Sequence, residues 1–315
     1  GSLRYWFMSR LRYMTWILPS FIAFSTNQSF SSFRFVSGFK SRIPHSRTNI
    51  SVPRINSSKM AQSSCAAGSD LASVADFVRS VKGDVIATLS SDEAKPSALP
   101  NLIIGNEAGD ADSILSAIGL AYVKALQAST DGHDRNKLFV PVVSIPAENL
   151  KVQRPETTFL LSDCAGMENV KADVNDLIAI DQHDLLPKQA TLTLTDHNFF
   201  RGKAGFDWVV TEIVDHHSDE GKHSDTCPSS KRNIAFEDSK ALVASTTTLV
   251  AEEFYATAGT DKIPPSLAIL LLGTMLIDSI NMSPKAGKGT PRDAAMIQKI
   301  MDDTDWAQLN LPDEI

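Results

Sequence analysis

Apolar runs that end on acidic or imidazole side chains recur through the middle of the chain. Residues 102–104 form an apolar run that suits a buried strand. Residues 105–109 break it with two glycines. Apolar positions then fall at helical spacing (Ile114, Leu115, Ile118, Leu120, Ala121 and Val123), with Asp112 or Ser113 placed to cap the helix. Residues 138–145 are β-branched and predict a strand, and so does the apolar run 158–161, which ends at Asp163. A short helix is expected over 170–177 and a short strand over 177–180. Residues 190–195 read as a strand ending at Asp196-His197-Asn198, and 208–214 as one ending at Asp215-His216-His217. Helices follow over 245–258 and 265–276; the second is apolar nearly all round, hence buried, and runs into Asp278. Residues 291–301 close the pattern as an amphipathic helix. Upstream, 70–82 is amphipathic, and 90–100 is a polar, Pro-containing linker. Strands alternating with helices predict an α/β fold: a doubly wound, mainly parallel sheet with flanking helices.

Composition sharpens this picture. With 315 residues, 43% of them apolar, the chain can bury a sizeable core in one large or two ordinary domains. Cys65, Cys164 and Cys227 are too widely spaced for a disulfide framework or a CxxC site, which fits a reducing compartment. The formal charge of −7 is uneven: residues 1–59 hold nine Lys/Arg and no acid, leaving 21 basic against 37 acidic residues elsewhere, a net of −16. So acidic a body argues against a nucleic-acid partner. It is compatible with a phosphate enzyme whose cations supply positive charge locally. The Ser-, Arg- and Phe-rich stretch 1–59 has the composition of a mitochondrial or plastid transit segment, whereas a start at Met60-Ala61 would give a cytoplasmic protein. The apolar stretch 16–24 is too short to span a membrane, so no membrane partner is expected.

The chemistry sits where the strands end. In open α/β sheets ligands bind outside the carboxyl ends of the strands. Asp110 and Asp112, two residues apart in such a crevice, repel each other unless a cation lies beside them. Asp196, the Asp215-His216-His217 run and Asp278 repeat the theme. Any one of these reads equally as a turn or cap residue. Together they make the donor set of a dinuclear site, and oxygen ligands with an imidazole suit Mn²⁺ or Mg²⁺ better than Zn²⁺. Two such ions about 3.5–4 Å apart can share a carboxylate, activate a water and clamp a phosphate. Lys285, Lys288 and Arg292, in a Gly-rich stretch after Asp278, are either phosphate clamps or a solvated loop and helix start. Arg154 is a weaker clamp candidate, and residues 245–248 either offer hydroxyls to phosphate or begin a helix capped by Ser245. His197 reads as a partner of the ligands or a packed histidine, and the Asp181/His183 pair as coincidence.

GNEAGDADS (105–113), TDHN (195–198), VDHH (214–217) and LIDSINM (276–282), in this order, resemble the motifs of the DHH phosphoesterase superfamily. The nearest branch is its eukaryotic exopolyphosphatase and prune-like group. LFVPVVSIPAENL, ASTTTLV and KAGKGTPRD are similar to that branch's connecting segments, so the resemblance covers roughly residues 70–310. It implies a metal-dependent phosphoanhydride hydrolase using two divalent cations, Mn²⁺ or Mg²⁺, on inorganic polyphosphate or a related short phosphoanhydride. Carried over by motif, Asp110 would ligate one ion, Asp112 the other, and Asp196 both; His216 and Asp278 would complete the second. Asp215 would support this segment or act as a ligand. Asp196, with the paired ions, would hold the attacking water, and His217 with Lys285, Lys288 and Arg292 would hold substrate phosphates. Asn106 stands where the family II pyrophosphatases resemble one another in a metal-binding histidine; it is a weaker, neutral candidate ligand or simply shapes the turn.

The resemblance implies a domain plan too: a disordered or targeting segment over 1–69, the catalytic domain over 70–310, and over 311–315 the start of a linker to a second, DHH-associated domain that family members carry and that this chain would lack. Without it the chain is expected to hold metal yet turn over slowly or not at all. Two rivals stay open: an inorganic pyrophosphatase or nucleotide phosphodiesterase of the same superfamily, and a prune-like binding protein with incidental activity. No aromatic platform for bases is evident in the sequence. Nothing in it indicates an oligomeric state.

Overall fold

In a computed structural model the described residues are 73–90, 99–131, 137–167, 176–257 and 262–309. The expected segments over 1–59 and 311–315, most of the 90–100 linker, and nearly all of the helix expected over 170–177 lie outside them.

The core is a six-stranded sheet comprising β1 (Asn101–Ile104), β2 (Phe139–Val143), β3 (Ile178–Ala179), β4 (Gln189–Thr195), β5 (Asp207–Asp215) and β6 (Arg232–Ile234). Its order is β3-β2-β1-β4-β5-β6, and every pairing is parallel. The chain therefore winds outward one way from β1 and then crosses to β4 on its other side. The reversal at β1/β4 leaves a crevice outside the carboxyl ends of those two strands.

Why each strand reads as a continuous apolar run is visible in its two faces. On β1, Ile103 joins one hydrophobic cluster while Leu102 and Ile104 join the other. On β2, Val143 and Val142 divide in the same way. Side chains alternate across the sheet, and both faces are covered. Against one face lie α2 (Ala111–Asp131), α5 (Thr246–Thr257) and α6 (Pro265–Asp278), with α7 (Pro291–Asp303) behind them. Helix α6 is buried from Ser266 through Leu276, as its all-round apolarity predicts. The first helix, α1 (Val74–Ser90), adds Val74 and Val78 to one cluster and Val81 and Val85 to the other.

Three expectations need correction, and some short strands are added. Residues 158–161 are not a strand: α3 (Ala147–Gln153) is followed by α4 (Pro155–Phe159) and a π-helical turn, Leu160–Cys164. Pro155 at N1 preorganises that helix, and a run of four residues carries no period that could separate the two states. The helix after β1 is capped by neither Asp112 nor Ser113. It begins at Ala111, and Asp110 Oδ1 accepts the Ser113 backbone N–H, so Asp110 is the cap. Helix α1 runs past 82 to Ser90, through Gly83. The short strands β6, β7 (Phe236–Glu237) and β8 (Lys240–Ala241) went unread, being two or three residues long.

Two glycines separate backbone freedom from close packing. A Cβ on Gly105 would stand 2.1 Å from Ser113 Oγ and 2.2 Å from Ser113 O, because the first turn of α2 rests on the end of β1. A Cβ on exposed Gly83 meets nothing within 4 Å. Gly105→Ala is expected to destabilise the fold by about 1–3 kcal/mol and Gly83→Ala to stabilise it by about 0.5–1 kcal/mol. Urea unfolding of both variants checks the opposite signs.

Candidate metal centre

The residues singled out by the sequence arrive from four places. The turn between β1 and α2 brings Asn106, Asp110 and Asp112. The residue after β4 is Asp196, held at φ 62, a left-handed conformation that Asp tolerates better than most residues. The end of β5 brings Asp215, His216 and His217, and the last residue of α6 is Asp278. Asn106, Asp110, Asp112, Asp196, His216, His217, Asp278 and Lys288 line one cleft of about 510 Å³, walled on its apolar side by Ala241, Val243, Ala244 and Ile277. Asp196, His216 and His217 each place one potential ligand atom within 4.8 Å of the others'.

Asp196 is the hub. Its carboxylate lies 3.3 Å from His216 Nε2 and 3.6 Å from His217 Nδ1, and it accepts the Asn106 amide N–H at 2.7 Å. His216 Nε2 is also 3.6 Å from Asp112. His216 Nδ1 lies 3.0 Å from the Val243 carbonyl, an acceptor only, so Nδ1 carries the proton and Nε2 faces the carboxylates as a potential ligand atom. Asp112 accepts the Ser245 hydroxyl at 2.6 Å and the backbone N–H groups of Thr246 and Thr247 at 2.8 and 3.1 Å. It is thus bound to the N-terminus of α5, whose unpaired N–H groups favour an anion. Asp215 is fully buried and saturated: it accepts from both histidine backbones, from His217 Nδ1–H at 2.8 Å and from Asn198 at 2.6 Å. That makes it the frame of the turn that presents the two imidazoles.

Burial decides the electrostatics. Desolvation, reinforced by the neighbouring carboxylate of Asp112, pushes Asp196 up to about 8. The same two causes raise Asp278 well above the usual carboxylate range. Desolvation also raises Asp112, against the pull of His216 and Ser245. His216 is pushed up to about 10: burial opposes its charge, but the hydrogen bond to Asp196 and the field of Asp112 win. His217 is raised by its hydrogen bond to Asp215, and Asp215 is lowered because its bonds to His217 and Asn198 outweigh burial.

One atom stands out. Asp278 Oδ2 is buried without a hydrogen-bond partner. A buried carboxylate oxygen with no donor is costly. Beside Asp112 and Asp196 it can be relieved by a proton or by a cation. Oxygen donors with one imidazole nitrogen suit a hard divalent ion. The residues present therefore fit the metal that the sequence implies.

The other site candidates divide. Asn106 gives its amide N–H to Asp196, while its oxygen accepts the Ala108 N–H, so as placed it orients Asp196. Arg154 donates to the carbonyls of Gly109 and Ala108 and braces the acidic turn. Arg292 forms a two-pronged ion pair with Glu252, at 3.0 and 2.6 Å, on the neighbouring helix α5. Of Lys285, Lys288 and Arg292, Lys288 is the one among the cleft's lining residues. His197 is held by its Nδ1 at 2.9 Å from the Thr195 carbonyl, and burial lowers its pKa. Sequence reasoning missed the Val243 carbonyl and Asn198. No side-chain pattern marks a carbonyl, but the amide following Asp196-His197 was on view.

Comparison with known proteins identifies the family. Residues 101–274 match the DHH family, N-terminal domain. The chain is 32% identical over 205 residues to Exopolyphosphatase PRUNE1 of Rattus norvegicus, covering 64% of this chain and 40% of that protein. It is likewise 32% identical over 202 residues to Exopolyphosphatase PRUNE1 of Homo sapiens, covering 64% of this chain and 40% of that one. The chain thus spans about 40% of the length of these curated relatives. A looser likeness, with a TM-score of 0.42 and 14% identity over 71% of this chain and 56% of the other, is to the crystal structure of an exopolyphosphatase-related protein from Bacteroides fragilis.

Two outcomes follow for the metal-free chain. Asp196 and His216 both hold protons in the folded state more tightly than in the unfolded chain. Between the ordinary Asp value and about 8, the unfolded state carries fewer protons at Asp196 than the folded one; for His216 the same holds between its ordinary value and about 10. Stability therefore falls as pH rises from about 6 to 9. Excess Mg²⁺ replaces those protons and should flatten the slope, adding about 2.7 kcal/mol at a hundredfold excess over Kd. Melting temperature against pH, with EDTA and with Mg²⁺, reads both effects. Asp278→Asn should raise metal-free stability by about 1–3 kcal/mol at pH 8 and abolish most of the gain from Mg²⁺.

Proposed function

The chain belongs to the DHH family, and from that premise we propose that it is a metal-dependent phosphoanhydride hydrolase releasing terminal phosphate from inorganic polyphosphate. The observation that supports it most is the orphaned Asp278 oxygen in a cleft that already gathers Asp112, Asp196 and His216. The names of the curated relatives support the substrate class. Two divalent cations, Mn²⁺ or Mg²⁺, would be held by Asp110, Asp112, Asp196, His216 and Asp278, and would supply Lewis-acid charge and a water made acidic enough to react at neutral pH.

The chain's own groups have separate tasks. Asn106 fixes one oxygen of Asp196, which leaves the other toward the imidazoles. Asp215 sets the rings of His216 and His217 by holding both backbone N–H groups. His217 is 56% exposed at its side chain and engages Asp215 through Nδ1. The raised pKa favours the imidazolium, whose Nε2–H is then available to a phosphate oxygen. Lys288 adds a positive charge on the cleft lining. Val243, Ala244 and Ile277 keep one wall apolar, which strengthens each charged contact there.

Phosphate release from long-chain polyphosphate, tripolyphosphate and pyrophosphate, each with Mn²⁺ and with Mg²⁺, tests the reading and ranks the substrates. Release from the longer chains is expected, and Asp196→Asn should lose about 100-fold or more. No release from any of the three with either metal would end it.

A further inference from the structure

The KAGKGTPRD segment looks like a phosphate clamp in the sequence. Its second half is used otherwise. Asp293 is fully buried in the first turn of α7, where it closes a capping box with Thr290. Its Oδ2 accepts Thr290 N–H at 2.8 Å and Ala244 N–H at 2.9 Å, and its Oδ1 accepts the Thr248 hydroxyl at 2.6 Å. The Thr290 hydroxyl donates in turn to the Leu242 carbonyl at 3.0 Å. Helix α7 is thereby stapled to residues 242–248 at three points.

Those seven residues are the ones that present the metal centre's supports. Val243 offers the carbonyl that fixes His216 Nδ1, Ser245 the hydroxyl on Asp112, and Thr246 and Thr247 the N–H groups on the same carboxylate. The other flank is held by contact. A Cβ on Gly289 would stand 2.5 Å from Met282 Sδ and 3.3 Å from Ser279 Cβ, so the turn before α7 lies directly on the segment that follows Asp278. That segment is wound left-handed through Ile280, Asn281 and Met282, at φ 51, 55 and 54. Three such residues in a row are strained and persist only when their surroundings hold them.

From this geometry we infer that Asp293 is a positioning residue of the metal centre: through residues 242–248 it sets His216 and Asp112 at the separation a divalent ion requires. The inference rests on the metal reading above. A cap does no more than stabilise its helix, whereas this carboxylate has two of its three bonds on a different segment, the one that touches the ligands.

Mn²⁺ titration of the full chain by calorimetry, at a temperature where every variant is folded, tests it. Asp293→Asn keeps the size but puts a donor among donors, and Mn²⁺ affinity should fall about 10–100-fold. Thr248→Val removes one bond only and should lose several-fold, and Thr248→Ser should restore it. Ile300→Val, in the buried face of the same helix, should lower the melting temperature and leave Mn²⁺ affinity unchanged. If Asp293→Asn and Thr248→Val both bind Mn²⁺ within twofold of the unaltered chain, the inference is overturned while the metal reading stands. If the unaltered chain binds no Mn²⁺, both are overturned.

Discussion

Three carboxylates that would rather be apart, Asp112, Asp196 and Asp278, are brought together with little water around them. Everything near the cleft can be understood as a response to that repulsion. The strand order supplies the place, since β1 and β4 part at their carboxyl ends and no helix can cross the gap between them. Burial then raises each group's proton affinity, and neighbouring charge raises it further. The protein relieves the strain unequally. Asp112 receives a helix N-terminus and a hydroxyl, Asp196 an amide and an imidazole, and Asp278 Oδ2 nothing. A set of anions satisfied in part is poorly built for its own stability and well built for capturing a cation. Under the metal reading, stability is given up here for binding, as functional sites commonly require.

The supports show how such a set is kept from drifting. A carboxylate that relaxed by a rotamer would lower the repulsion and lose the ligand geometry. Each is therefore fixed by a group that belongs to a rigid element. The N–H groups of α5 hold Asp112, Asn106 in the β1–α2 turn holds Asp196, and Asp215 at the end of β5 holds both imidazoles. Behind these stand bonds that never reach the cleft, such as Arg154 on the acidic turn and Asp293 on the loop before α5. Left-handed backbone at Asp196 and at 280–282 belongs to the same economy of position.

How far this was legible in the sequence differs by level. The sheet was legible because buried parallel strands leave long β-branched runs, and 190–195 and 208–214 lie inside the observed β4 and β5. Residues 158–161 misled because a four-residue apolar run fits a buried helix as well as a strand. The gathering of Asp112, Asp196 and His216 was legible from one rule about strand ends and Asp278 from the apolar run it closes, and the motif resemblance divided them into roles. Basic residues were the least legible. Arg154 and Arg292 look like phosphate ligands when only charge and proximity are known, and each proves to be engaged inside the protein. Whether a guanidinium faces a cleft or a neighbouring glutamate depends on helix phase and packing, which one strand-and-helix string does not encode. The capping box at Thr290 and Asp293 was on view as T-x-x-D, yet its reach to residues 244 and 248 is tertiary.

The placement of those arginines bears on how a polyanion would enter. Four carboxylates line the cleft, against Lys288 and two imidazoles. With its carboxylates ionised the cleft repels a phosphate chain. Under the proposed reading it must be loaded before it can attract substrate, because the charge that binds phosphate arrives with the cations. Coupling of that kind is reciprocal: if metal raises the affinity for the chain, the chain raises the affinity for metal by the same factor. A weakly held ion, of the sort Asp110 would offer, would then be an asset. The substrate's own oxygens would complete it, so the site would reach its full positive charge only when a phosphate is there to use it.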